Sequence, residues 1–246
     1  MTHSLSRRSF LVLAASGLFA AHAQDAPPKT HTRWPESIKL DYEVFGLASG
    51  WHYRAKSQLL WQHDSLRYTL SLTLKVLILG TRQWSSTGLL TPSGLQPLRI
   101  SDSFKKNLSA KLDRKTLEVH FEDPQRPAQP LKPDAQDQMS VILQWGVIAA
   151  ANPALLSVNQ AWPVQVVTSR SADDWTVTLL GRETLRVKEK RLTTLHWKAQ
   201  PNKAGGTTLE FWSAASMDGL PARVRLSQDN GNVIDMRLKD MTLPAS

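Results

Sequence analysis

From Pro35 onward, apolar and polar residues alternate with a period of two. Ile38, Leu40, Tyr42 and Val44 interleave with Lys39, Asp41 and Glu43. A β-strand sends successive side chains to opposite faces, so this spacing predicts a strand buried on one side only. The alternation recurs at Trp51, Tyr53 and Ala55 against His52, Arg54 and Lys56. It runs longest at Tyr68, Leu70, Leu72, Leu74 and Val76 against Arg67, Thr69, Ser71, Thr73 and Lys75. Shorter stretches of the same kind occupy residues 83–90, 98–101, 109–113 and 116–121. After a proline-rich loop at 122–133, strands resume at 162–168, 175–181, 183–188, 192–199 and 207–213. The last two, 222–228 and 233–239, flank Asp229-Asn230-Gly231-Asn232. Asn-Gly supplies the positive φ angles of a tight hairpin turn.

One segment has a different period. Asp134 is placed to cap a helix over 135–152, in which Met139, Ile142, Leu143, Gly146, Val147 and Ala150 fall on one face, and Pro153 stops it. About a dozen strands joined mostly by short turns predict a mainly β fold: a single curved antiparallel meander, open or closed like a barrel. The helix is expected on or in its concave side, because a flat sheet of this width leaves an apolar face wet.

The N-terminus reads as an address. Ser6-Arg7-Arg8-Ser9-Phe10-Leu11 fits a twin-arginine export pattern, a short apolar stretch follows, and Ala21-His22-Ala23 supplies a small-x-small cleavage pattern. The apolar stretch is about half the ~20 residues that a membrane span needs, so no stable span is expected after cleavage. The expected organisation is a signal peptide at 1–23, a flexible lead-in at 24–34 containing Pro27-Pro28, and one β-rich domain at 35–243. The expected location is the periplasm.

Composition narrows the chemistry. The chain has no cysteine, which excludes disulfides, thiolate metal sites and a thiol nucleophile. The signal holds two of the 30 basic and none of the 21 acidic residues, so the mature chain carries a net charge of +7. No run of five or more basic residues occurs, and nucleic-acid binding is not expected. The histidines form no H-x-x-x-H or H-x-H pair, and His52, His120 and His196 fall on the polar faces of their strands as solvated residues. There is no G-x-S-x-G turn, and Asp173-Asp174 reads as turn chemistry. Neither a catalytic set nor a cofactor or metal site is expected.

Two groups of residues remain. Trp51, Trp84, Trp145, Trp175, Trp197 and Trp212 are spread over the strands and the helix. They either fill a core or line an apolar cavity suited to a lipid or another amphiphile. Gln136, Asp137 and Ser140 sit at the helix start, where polar groups favour the positive end of its dipole. They are expected to form a polar anchor and to hold Arg223 or Arg225 if the helix packs over the last hairpin.

Ordered short patterns run through these segments. They are Leu40-x-Tyr42-x-Val44-x-Gly46 with Gly50 and Ala55, then Ser85-x-Thr87-Gly88-x-Leu90 with Gly94-Leu95-x-Pro97. Ala135-Gln136-Asp137-x-x-Ser140 follows, then Trp175, Gly181 and Glu183. The set ends with Glu210-Phe211-Trp212 and Leu220-Pro221-Ala222-Arg223-Val224-Arg225. Together, from about Pro35 to Met241, they resemble the bacterial family called domain of unknown function 3108. The chain departs from the family pattern at Ser86 and Gln138. The resemblance implies an exported, β-rich, barrel-like protein and brings no reaction. Three functions fit: a non-enzymatic carrier of an apolar or amphiphilic envelope component, an assembly factor acting on envelope proteins, and an enzyme on a glycan or lipid.

Overall fold

The computed structural model describes residues 34–77, 80–104 and 106–244. The expected export signal, with Arg7, Arg8, Ala21 and Ala23, and most of the expected lead-in lie outside the described residues. The first half of the chain forms β1 (Ile38–Ala48), β2 (Trp51–His63), β3 (Arg67–Val76), β4 (Gly80–Thr91), β5 (Gly94–Phe104), β6 (Lys106–Asp113), β7 (Glu118–Phe121) and β8 (Gln129–Pro130). Then come β9 (Gln136–Asp137) and the helix α1 (Ser140–Ala151). The second half forms β10 (Ala161–Val167), β11 (Ala172–Val187), β12 (Lys190–Pro201), β13 (Thr207–Ala214), β14 (Pro221–Gln228) and β15 (Val233–Thr242).

All the strands join one sheet in the order β8-β7-β6-β5-β4-β3-β2-β1-β15-β14-β13-β12-β11-β10-β9. The chain starts mid-sheet, meanders to one edge, and crosses to β9 at the other edge through residues 131–135; α1 then links β9 to its parallel neighbour β10, and the chain meanders back until β15 pairs with β1. Every pairing is antiparallel except β9 with β10. The sheet curls around the core but does not close. At the seam, glutamine side chains replace backbone pairing. Gln165 accepts from the Lys132 amide at 2.8 Å and donates to the Pro130 carbonyl at 2.9 Å. Gln129 accepts from the Ala172 amide, and Gln136 and Gln144 bind the carbonyl and amide of Leu95.

The inner face carries the predicted alternation. Leu40, Tyr42, Val44, Leu59, Trp61, Leu70, Leu72, Phe211, Val224 and Met236 are all buried. α1 occupies the interior. Residues from Ser140 to Ala149 are buried on every side, so the helix is not the one-faced element that its spacing suggests. A helix apolar all round belongs inside a core. It crosses the loop before β14 so closely that a methyl group on Gly146 would lie 2.1 Å from the Gly219 carbonyl oxygen.

Three sequence expectations need correction. The helix starts at Ser140, not Ala135, because Gln136 and Asp137 pair with Val166 and Val167. The N-cap position is Met139, and Asp137 rather than Asp134 serves the first amides: its Oδ1 accepts from Met139 (2.8 Å) and Ser140 (2.7 Å). The segments 175–181 and 183–188 form one strand, β11, with a bulge between Leu179 and Gly181 that absorbs one residue without breaking the ladder.

Candidate binding site

The inner face of the sheet opens at one end into a recess of about 380 Å³ above the start of α1. Trp84 and Phe104 form one wall, and Leu226 and Ile234 the opposite one. Gln138 and Arg170 stand at the rim with Arg82 and Asp102. The strands fix this arrangement. Alternation in β4 puts Arg82 on the same face as Trp84, and Asp102 lies opposite Trp84 on β5. Arg82 and Asp102 bind through two contacts, Nε to Oδ1 at 2.9 Å and Nη2 to Oδ2 at 2.6 Å. The Arg82 guanidinium also lies over the Trp84 ring, 4.3 Å from its centroid. Such a doubly held guanidinium has little freedom left and presents a fixed polar edge. Tyr53 completes the rim. Its ring covers the space above Gly46, where a Cβ would meet it at 2.0 Å. Partial burial raises its pKa, with Arg82 acting against that shift.

Below the recess, Leu72, Trp84, Met139, Ile142, Leu209 and Val224 enclose a small apolar gap. The polar rim therefore stands over an apolar floor made by α1 and two sides of the sheet. Two other hollows differ in character. A groove of about 890 Å³ along β1, β2, β3 and β15 is lined by charges of both signs, among them Asp41, Glu43, Lys56, Lys75, Lys239 and Asp240. A recess of about 270 Å³ at the seam is bordered by Gln96, Gln136, Gln144 and Trp145.

The six tryptophans do not converge. Trp84 lines the mouth and Trp145 the seam recess. Trp175 and Trp197 belong to the packed core, where Trp197 Nε1 donates to Ser213 Oγ at 3.0 Å and its ring stacks on Phe211. Trp212 lies on the outer face, stacked on His196 at 4.1 Å and covered by Arg223 at 4.3 Å. Trp51 is 81% exposed at the β1–β2 turn, beyond the end of the core. Trp61 and Trp162 fill the core as well. His196 is not a solvated strand residue: its side chain is 13% exposed and lies between Glu183 (2.8 Å) and Glu210 (3.1 Å).

The polar residues at the helix start do meet, though with other partners than Arg223 and Arg225. Ser86 Oγ donates to Asp137 Oδ2 and is itself 2.9 Å from the Tyr68 hydroxyl. Ser140 Oγ accepts from the Asp137 amide at 2.9 Å. Asp137, Ser86 and Ser140 are each 0% exposed and Tyr68 is 2% exposed, so this network lies buried out of contact with solvent. Burial pushes the Asp137 carboxyl up to about 6, although bonds from Ser86, Ser140 and Met139 favour its charged form. Arg223 and Arg225 face away because β14 turns Val224 and Leu226 inward. Gln136 binds the seam instead.

Arg82 and Asp102 were not singled out from the sequence, yet a signal existed. Two residues before Trp84, Arg82 is a charged residue in an inward register. A cation there needs a partner or an opening.

No curated protein matches the sequence. Among solved structures, a beta-barrel-like protein of domain of unknown function DUF1849 from Brucella abortus is similar with a TM-score of 0.57 at 8% identity, over 87% of this chain and 100% of that one. More distant are the MucA/MucB complex of Pseudomonas aeruginosa (0.34, 13%, 85% and 53%) and a LolA superfamily protein from Nitrosomonas europaea (0.24, 10%, 89% and 90%). The Brucella likeness shows the barrel-like fold. Residues 51–239 match the family described as protein of unknown function DUF3108, and the chain belongs to that family.

Proposed function

We propose that this protein is an exported, non-enzymatic binding protein of the cell envelope that takes an apolar or amphiphilic component into the mouth above α1. The observation that carries this reading is the recess itself, a polar rim at Arg82, Asp102 and Arg170 over an apolar floor. At about 380 Å³ it falls within the ~300–1,000 Å³ of small-molecule sites. An amphiphile has the same division. Its head group meets the rim, and its tail lies along Trp84, Leu226 and Ile234. Met139 stands at the floor, and its flexible, unbranched side chain can yield to a chain entering between helix and sheet. The Arg7-Arg8 pair and the Ala21-His22-Ala23 pattern support export to the periplasm.

Native mass spectrometry of the protein purified from periplasm, with lipid extraction alongside, tests the reading. The expected result is a stoichiometric amphiphile, or its uptake from an envelope extract. A clean apo mass with no uptake overturns it and turns attention to protein partners.

A further inference from the structure

A second site lies on the outer face of the sheet. There β13, β14, β15, β1 and β2 set two neighbouring cross-strand rows. One holds Trp212, Arg223 and Arg237, and the next holds Arg225, Asp235, Phe45 and Arg54. The last six of these residues line a groove of about 650 Å³, with His52 at its end.

Four guanidinium groups share this groove with one carboxylate. Asp235 is held by Arg223 (Nε 2.7 Å, Nη2 2.8 Å) and by Arg237 (Nη2 2.8 Å, Nε 3.1 Å). Burial opposes the charge on Asp235, but the bonds from Arg223 and Arg237 outweigh it and hold the carboxyl below its usual range. Aromatic rings hold three of the four guanidiniums. Arg223 lies over Trp212, while Arg54 and Arg237 each sit 4.7 Å from the Phe45 centroid. Arg54 and Arg225 pair with no carboxylate among the described residues, and Arg225 Nε is buried without a partner. Two acids flank the rows. Glu210 stands opposite Arg225 but is bound to His196, and Glu43 stands opposite Arg237.

We propose that this groove binds a phosphate group. The site has surplus positive charge, and three of its four guanidiniums are held against aromatic rings before any ligand arrives. Guanidinium forks match phosphate oxygens in pairs, and phosphate offers acceptors in several directions at once. Arg54 and Arg225 approach from different strands, so one phosphate can accept from both while Arg223 and Arg237 keep Asp235. The phosphate is either free in solution or carried by a lipid head group at a membrane surface. The groove borders the mouth at Leu47 and Tyr53 but draws its arginines from the outer face, and neither reading depends on the other.

The test uses the full mature chain and two probes, inorganic phosphate by calorimetric titration and phosphatidylglycerol vesicles by co-sedimentation, with phosphatidylcholine vesicles as the neutral control. The variant Arg54→Gln/Arg225→Gln removes the two unpaired guanidiniums and leaves the Asp235 pairs intact. Lys111→Gln/Lys115→Gln removes the same charge from the β6–β7 hairpin. The expected result is binding of at least one probe, weakened about tenfold or more in the arginine variant and nearly unchanged in the lysine variant. Phosphate binding with inert vesicles supports the site and assigns a soluble ligand. Vesicle binding with inert phosphate supports it and assigns a lipid head group. Binding of neither probe, or an equal loss in both variants, overturns the proposal.

Discussion

Replacing Asp137 by asparagine removes one titrating group from the centre of the barrel while keeping its shape. Asparagine Oδ1 can still accept from the amides of Met139 and Ser140. Its Nδ2 can donate to Ser86 Oγ, which then turns its own proton toward Tyr68. The energetic difference comes from the proton. Burial raises the Asp137 carboxyl from 3.8 to about 6, so ionising it is about 3 kcal/mol harder in the fold than in the unfolded chain. The sign follows from proton counts. Between pH 4 and 6 the folded chain keeps a proton that the unfolded chain has released. The contribution of Asp137 to stability therefore falls as pH rises through that window and is flat above it. Urea unfolding of both proteins, followed by tryptophan fluorescence at intervals from pH 4 to 8, measures the effect. The stability of Asp137→Asn relative to the native chain should rise by about 3 kcal/mol across the window, or roughly 6–12 °C in Tm for a chain of this size. Parallel stability curves, or a difference that shrinks with rising pH, would refute the reasoning.

Two other substitutions probe the packing. Gly146→Ala places a methyl group 2.1 Å from the Gly219 carbonyl oxygen, where backbone must move on both sides. Thermal unfolding should register a loss of at least 1–3 kcal/mol, roughly the usual range for overpacking. Gln165→Ala strips the bonds to Lys132 and Pro130 at the seam and leaves a backbone donor and an acceptor short of partners. A loss of about 1–3 kcal/mol is expected, with amide exchange accelerating at Lys132 before the central strands.

Much of the fold was written in the alternation, because side-chain parity fixes which face each residue serves. β3 shows this most plainly, with Tyr68, Leu70, Leu72 and Leu74 all buried. Parity also assigns Trp212 to the face of Glu210, since Leu209, Phe211 and Ser213 take the inward positions. Grouping Trp212 with the core tryptophans followed hydrophobicity where parity was the better guide. Trp51 has an inward parity but sits past the end of the barrel, and parity does not measure height along a strand. The helix boundary was hidden because Gln136 and Asp137 are polar residues ahead of an apolar run, which reads as a helical first turn. Their pairing with Val166 and Val167 is a tertiary event. The same holds for the bond from Ser86 to Asp137 and for the glutamine seam. Alternation tells which residues face inward, while the curl of the sheet decides which of them meet across the interior.

The central claim is that an amphiphile enters the mouth beside Trp84, and tryptophan quenching by a bromine-labelled fatty acid tests it most directly. Trp51 is 81% exposed and open to random collisions, so the measurement is made in a Trp51→Phe background. Among the described residues, Trp84 is the one tryptophan lining this recess. The account predicts saturable quenching that disappears when Trp84→Phe is added, with the fold retained by circular dichroism. Quenching that persists without Trp84, or no saturable quenching in its presence, contradicts it.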